Sequence, residues 1–148
     1  MRAWYYPLML LALAACSPAE KPSGTLQLDE LYGQWVVINY WAIWCKPCIQ
    51  EIPELNKLDE LPQVTVLGVN YDGISGEELA QQLEKLGVAF RTLETDPAAQ
   101  LGMARPVVLP TSLVLDPQGQ LSETLVGPQT LETLASATRQ TLSERTDD

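Results

Sequence analysis

Trp44-Cys45-Lys46-Pro47-Cys48 is the segment whose residue types and spacing can do unusual chemistry. The 148 residues hold three Cys and no His, which removes every His-based triad, most catalytic zinc sites and any His pH switch. Two Cys three apart at a helix start lie within one turn, so their sulfurs can reach disulfide distance. The first sulfur would sit beside unpaired helix N–H groups, whose dipoles favour thiolate over thiol. A thiolate is the attacking species in disulfide exchange, which makes Cys45 the nucleophile and Cys48, one turn inward, the resolving thiol. Pro47 suits the first helical turn, where its missing N–H costs nothing. Lys46 either adds positive charge beside Cys45 or is a solvated surface lysine. The pair could also be a structural disulfide or half a metal site. A structural zinc, however, needs further Cys or His ligands that the chain lacks, so no metal is expected.

Glu51 follows Cys48 by three residues, about 60° away around a helix. A partly desolvated carboxylate there would titrate high and could take or return the proton of Cys48. The alternative is an exposed helical Glu. Asn39 interrupts an apolar run and cannot titrate, so it reads as a hydrogen-bonded core amide.

The elements that must position these residues alternate. Trp35 to Ala42 reads as a strand buried on both faces. From Cys45 to about Glu60, Ile52, Leu55 and Leu58 mark one apolar helix face that Pro62 ends. Val64 to Val69 is a second buried strand. Leu79, Leu83 and Leu86 mark a second helix, with a Ser75–Glu78 capping box before it and Gly87 after it. A short strand near Thr92–Glu94 precedes a turn of helix around Ala98–Leu101. Thr111 to Leu115 and Leu121 to Val126 are strands joined by hairpin chemistry at Asp116-Pro117-Gln118-Gly119. Leu131, Leu134, Ala135 and Leu142 carry a last helix, and Thr25 to Leu28 is a short edge strand. This order predicts an α/β fold, a central mixed sheet with a parallel section and an antiparallel edge hairpin, and helices on both faces.

The N-terminus reads as targeting. Arg2 precedes an apolar run from about Leu8 to Ala15, too short for a permanent span, so residues 1–15 form an export signal. The end of the run, Leu13-Ala14-Ala15-Cys16, resembles a bacterial lipobox, in which the chain is cut before a Cys that carries lipid. The competing readings are an ordinary signal with Cys16 as a stray thiol, or an uncleaved anchor. Residues 16–24, the lipidated Cys and a Pro- and Ser-rich tether, precede a domain over 25–148; the tether's eight residues after Cys16 reach at most roughly 25–30 Å. Ser17 is not the Asp that such resemblances tie to inner-membrane retention, which favours the outer membrane, facing the periplasm. Nine Lys plus Arg against 19 Asp plus Glu give a net charge of −10, an unsuitable surface for nucleic acid.

From about Thr25 to Leu142 the chain resembles the thioredoxin-like thiol–disulfide oxidoreductases of the TlpA/ResA/DsbE type. The markers are Val37-Ile38-Asn39-Tyr40-Trp41-Ala42-Ile43-Trp44-Cys45-Lys46-Pro47-Cys48, Glu51-Ile52-Pro53-Glu54-Leu55, Val66-Leu67-Gly68-Val69-Asn70-Tyr71-Asp72 and Pro110-Thr111-Ser112-Leu113-Val114-Leu115-Asp116. The resemblance implies a thioredoxin fold, no cofactor beyond the redox-active Cys45–Cys48 disulfide, and a Glu at position 51 that handles protons. It also implies a cis-proline at Pro110, with Pro106 as competitor, and a preceding Leu109 whose backbone meets the substrate. Trp41 and Trp44 could flank a peptide groove; core packing is the better reading of Trp41. The stretch from Gly102 to Pro110 departs from the family, being longer and inserting Val107-Val108. The activity expected is reduction or exchange of protein disulfides, with a membrane electron donor of the DsbD/CcdA kind. The alternatives are a thiol oxidant and a Cu(I) carrier using the same Cys pair.

Overall fold

Six β-branched and aromatic residues with Asn39 among them, Trp35–Trp41, form β1, and every one after Trp35 is buried. The structure, a computed structural model, describes residues 32–142. The export signal, Cys16, the tether and the strand expected at Thr25–Leu28 lie outside the described residues. After β1 come α1 (Lys46–Asp59), β2 (Val64–Asn70), α2 (Gly76–Leu86), β3 (Arg91–Leu93), β4 (Thr111–Leu115), β5 (Leu121–Val126) and α3 (Leu131–Ala137). The strands form one sheet in the order β3-β2-β1-β4-β5. β1 pairs with β2 and β2 with β3 in parallel; β1 with β4 and β4 with β5 are antiparallel. The hairpin stands where the sequence put it. Asp116 Oδ1 accepts the backbone N–H groups of Gln118 and Gln120 at 2.9 Å each, and Gly119 takes a φ of 75° that favours glycine.

The helices do not divide between the two faces as expected. The steps β1-α1-β2 and β2-α2-β3 move the same way across the sheet, and right-handed crossovers then put both helices on one side. Asn56 of α1 fastens the end of α2, donating to the Gly87 carbonyl and accepting from the Ala89 N–H, both at 2.8 Å. Glu54 of α1 accepts the Leu131 N–H that opens α3. Val37, Ile52, Leu55, Val66 and Leu134 fill the core on this side. On the other face Val36, Ile38, Leu67 and Leu113 are covered by Tyr71, Leu101, Met103 and Leu109. Leu101 closes a single helical turn that Gly102 ends at a φ of 66°, and the N–H of Met103, just beyond it, donates back to the Ala98 carbonyl at 2.8 Å.

Local details differ from expectation, by one residue at the ends of β1 and β2 and by more elsewhere. The third strand is Arg91–Leu93, set by its register with Leu67–Val69 of β2. Ser75 occupies the N-cap of α2, yet its side chain makes no capping bond, so the capping box does not form. Instead Asn70 Oδ1 accepts from the N–H groups of Asp72 and Ile74 and shapes that turn. The last helix stops at Ala137, short of Leu142.

Gly68 lies mid-strand because no side chain fits there. A Cβ on it would stand 2.7 Å from Thr92 Oγ1, 2.9 Å from Phe90 Cε2 and 3.0 Å from Trp41 Nε1. Gly68→Ala is therefore expected to cost about 1–3 kcal/mol through overpacking, read as a lower urea midpoint at unchanged slope.

Candidate active site

The apolar stripe of α1 that turns to the sheet consists of Cys48, Glu51, Ile52, Leu55 and Leu58. One helical period thus places a thiol and a carboxylate on the same buried line as the core. Cys45 caps the helix in extended conformation, and its Sγ accepts the Cys48 N–H at 3.3 Å. Pro47 lies in the first turn as expected. Cys45 and Cys48 are joined by a disulfide with their Cα atoms 5.3 Å apart. Cys45 is 5% exposed and Cys48 1%, so the outer sulfur is the one a partner can reach. When the pair is reduced, the Cys48 N–H and the helix dipole favour negative charge on Cys45 Sγ.

Glu51 is 1% exposed, which settles its placement against the exposed alternative. Asn39 on β1 faces Ser112 on β4 in the antiparallel register, and the Asn39 side chain joins Ser112 to Glu51 of α1. Asn39 Nδ2 donates to Ser112 Oγ at 3.0 Å and to Glu51 Oε2 at 3.4 Å. Glu51 Oε1 has no hydrogen-bond partner among the described residues. Burial pushes the Glu51 carboxyl up to about 7, with the Gln129 backbone and the Asn39 amide pulling the other way. A carboxyl held there can change protonation at neutral pH.

The peptide bond Leu109–Pro110 is cis; Pro106 does not share this feature. Leu109 packs against the cluster of Trp41, Ala42, Cys45, Cys48 and Leu79, so the residue before the cis bond joins the apolar surroundings of the disulfide. The Gly127 N–H donates to the Pro110 carbonyl at 2.9 Å, fixing this corner against the end of β5.

The AhpC/TSA family model matches residues 13–124. The chain belongs to the AhpC/TSA family. It is similar to the thiol-disulfide oxidoreductase ResA of Bacillus anthracis, 30% identical over 113 residues that are 74% of this chain and 64% of that one. It is also similar to the thiol:disulfide interchange protein DsbE of Allochromatium vinosum, 33% identical over 108 residues that are 72% of this chain and 59% of that one. The chain therefore spans less than two thirds of the length of these relatives. Among solved structures, a DsbF homologue from Corynebacterium diphtheriae superposes with a TM-score of 0.64 at 27% identity, covering 76% of this chain and 74% of that one. A secreted thiol-disulfide isomerase from Corynebacterium glutamicum gives 0.64 at 28%, covering 76% and 73%. The fold is thioredoxin-like.

The other expected site residues of this family member divide by position. Trp41 is fully buried and belongs to the core. Trp44 is 63% exposed, and its indole N–H donates to Asp72 Oδ2 at 2.9 Å. Lys46 is exposed. Sequence reading missed Asp72, the partner of Trp44, and Ser112, the partner of Asn39. Both come from other strands' ends, and only sheet register brings them in.

Proposed function

We propose that this chain is an envelope thiol–disulfide oxidoreductase that reduces or exchanges protein disulfides through Cys45 and Cys48. The observation that carries the reading is a disulfide between Cys45 at a helix N-cap, the more exposed sulfur of the two, and the deeper Cys48, in a cluster against which the residue before a cis-proline packs. The names of the relatives support the same chemistry. In the forward direction Cys45 thiolate attacks one sulfur of a substrate disulfide. A mixed disulfide forms and the other substrate sulfur leaves as thiolate. Glu51 takes the proton of Cys48, whose thiolate then attacks Cys45 Sγ. The Cys45–Cys48 bond closes, the second substrate thiolate leaves, and two electrons have passed to the substrate.

Trp44, Leu109 and Pro110 border the place where a substrate strand would lie, and Lys46 and Pro47 tune the helix end. The Leu13-Ala14-Ala15-Cys16 segment supports a lipid anchor at Cys16, with the outer membrane favoured and the domain facing the periplasm. Because an oxidising compartment would leave the pair oxidised, a reductase there requires a membrane electron donor of the DsbD/CcdA kind.

Cys48→Ser should accumulate mixed disulfides on Cys45 that report the substrates directly, since nothing remains to resolve them. Failure to trap any thiol-containing protein would overturn the reading. A midpoint potential below about −200 mV supports the reductase direction, and one near about −120 mV supports the oxidant.

A further inference from the structure

The connection from Gly102 to Pro110 has features that the exchange chemistry does not use. Val107 is 88% exposed and Val108 52%. Single exposed valines are ordinary, but these two are adjacent in a loop pinned at both ends. At one end Arg105 Nε donates to Asp96 Oδ2 at 2.9 Å, and Arg105 Nη2 donates to the Tyr71 carbonyl. The same guanidinium lies 4.0 Å from the centre of the Tyr71 ring. Asp96 is itself fixed, its Oδ1 accepting from the Tyr40 hydroxyl at 2.8 Å and from the Ala98 N–H at 2.9 Å. Tyr40 is a fully buried residue of β1, so the clamp is anchored in the sheet. At the other end Thr111 Oγ1 donates to the Val108 carbonyl at 2.8 Å.

Between these anchors lies an open hollow of about 520 Å³ whose lining includes Met103, Val107, Val108, Leu113, Leu121 and Val126. The hollow opens on the Leu113 face of the sheet, and Leu109, packed against both that face's core and the cluster that holds the cysteines, links its rim to the redox site. Leu109 follows Val108 directly and packs against the cysteine cluster. Tyr71, gripped by Arg105, precedes Asp72, which holds Trp44. Arginine suits this clamp because it supplies two donors and a flat stacking face at once, which lysine cannot. A loop already ordered loses little conformational freedom when a chain lands on it, so its apolar contacts are expressed as affinity.

We propose that Arg105 is a positioning residue that fixes Val107 and Val108 as an apolar ledge beside Pro110, and that this ledge selects polypeptides with a large apolar side chain next to the reacting cysteine. The inference rests on the oxidoreductase reading and names the substrate class of the same site.

The test uses the reduced full chain and two single-cysteine peptides, each joined to glutathione by a disulfide and differing only in Leu or Ser beside the cysteine. Wild type should prefer the Leu peptide by about fivefold in kcat/KM, carried by KM, as partial burial of one leucine side chain implies. Arg105→Ala should bring that ratio to about one while the midpoint potential of the cysteine pair stays put, a pattern that general loss of structure does not give. Val107→Ser with Val108→Ser changes only exposed side chains and should erase the preference as well. No preference in wild type overturns the proposal, as does a preference that survives in either variant. If wild type exchanges with neither peptide, the oxidoreductase reading has failed and this one falls with it, an outcome distinct from exchange without preference.

Discussion

Cys45→Ser is expected to lower the rate of exchange with peptide disulfides by at least about a thousandfold, because a hydroxyl at that N-cap cannot form a disulfide. In reduced wild type, Cys45 should react with iodoacetamide at pH 6 at least about threefold faster than in the urea-unfolded chain. The margin follows from two opposed effects. Helix-end N–H groups raise the thiolate fraction about tenfold for each tenfold gain in acidity, while intrinsic nucleophilicity falls about threefold. The Cys48 N–H, 3.3 Å from Cys45 Sγ, is one of those groups. Equal alkylation rates in the folded and unfolded chains would mean that the helix end does not activate the sulfur, and the catalytic assignment of Cys45 would go with it.

Glu51→Gln has the next largest expected effect, and it acts in two directions. The amide keeps the shape and can still bond Asn39, but it cannot accept a proton. Resolution of the mixed disulfide should slow by about a hundredfold near pH 7, the scale of one positioned general base. The same substitution should stabilise the folded protein at high pH. The folded carboxyl titrates at about 7, above its ordinary 4.5, so between those values the native state holds a proton that the unfolded chain has released. Stability from this group is therefore fully present below pH 4.5 and is lost as pH rises through 7, a loss of about 2–3 kcal/mol. Urea titrations of the oxidised protein at pH 5 and 8 should show that loss in wild type and its absence in Glu51→Gln. An identical pH slope in the two would show that Glu51 titrates in its usual range, and its proton-handling role would have no basis.

The buried strands were legible because apolar and β-branched runs of five to seven residues have few other places to go. β4 and β5 fall at the limits read from composition, since Asp116 and Gly119 impose the turn locally. The start of α1 was equally local, with Cys45 at the cap and Pro47 one residue inside. Other features were not legible for identifiable reasons. Two helical crossovers on one face depend on strand order, which no single segment encodes. The turn before α2 is shaped by Asn70 from the end of β2, and the Ser75 side chain makes no capping bond.

The sequence by itself determined the reactive pair, its place at a helix N-terminus and the candidates Glu51 and Pro110, because spacing along one chain governs what a helix end presents. Only the tertiary structure decided how deeply Glu51 is buried, which partners Asn39 and Trp44 find, and how Arg105 braces the valine loop. Those outcomes depend on groups 12 to 73 residues apart in the chain meeting through sheet register and loop packing. Desolvation and hydrogen-bond direction, which set acidity and substrate access, are properties of that assembled surrounding and have no local code.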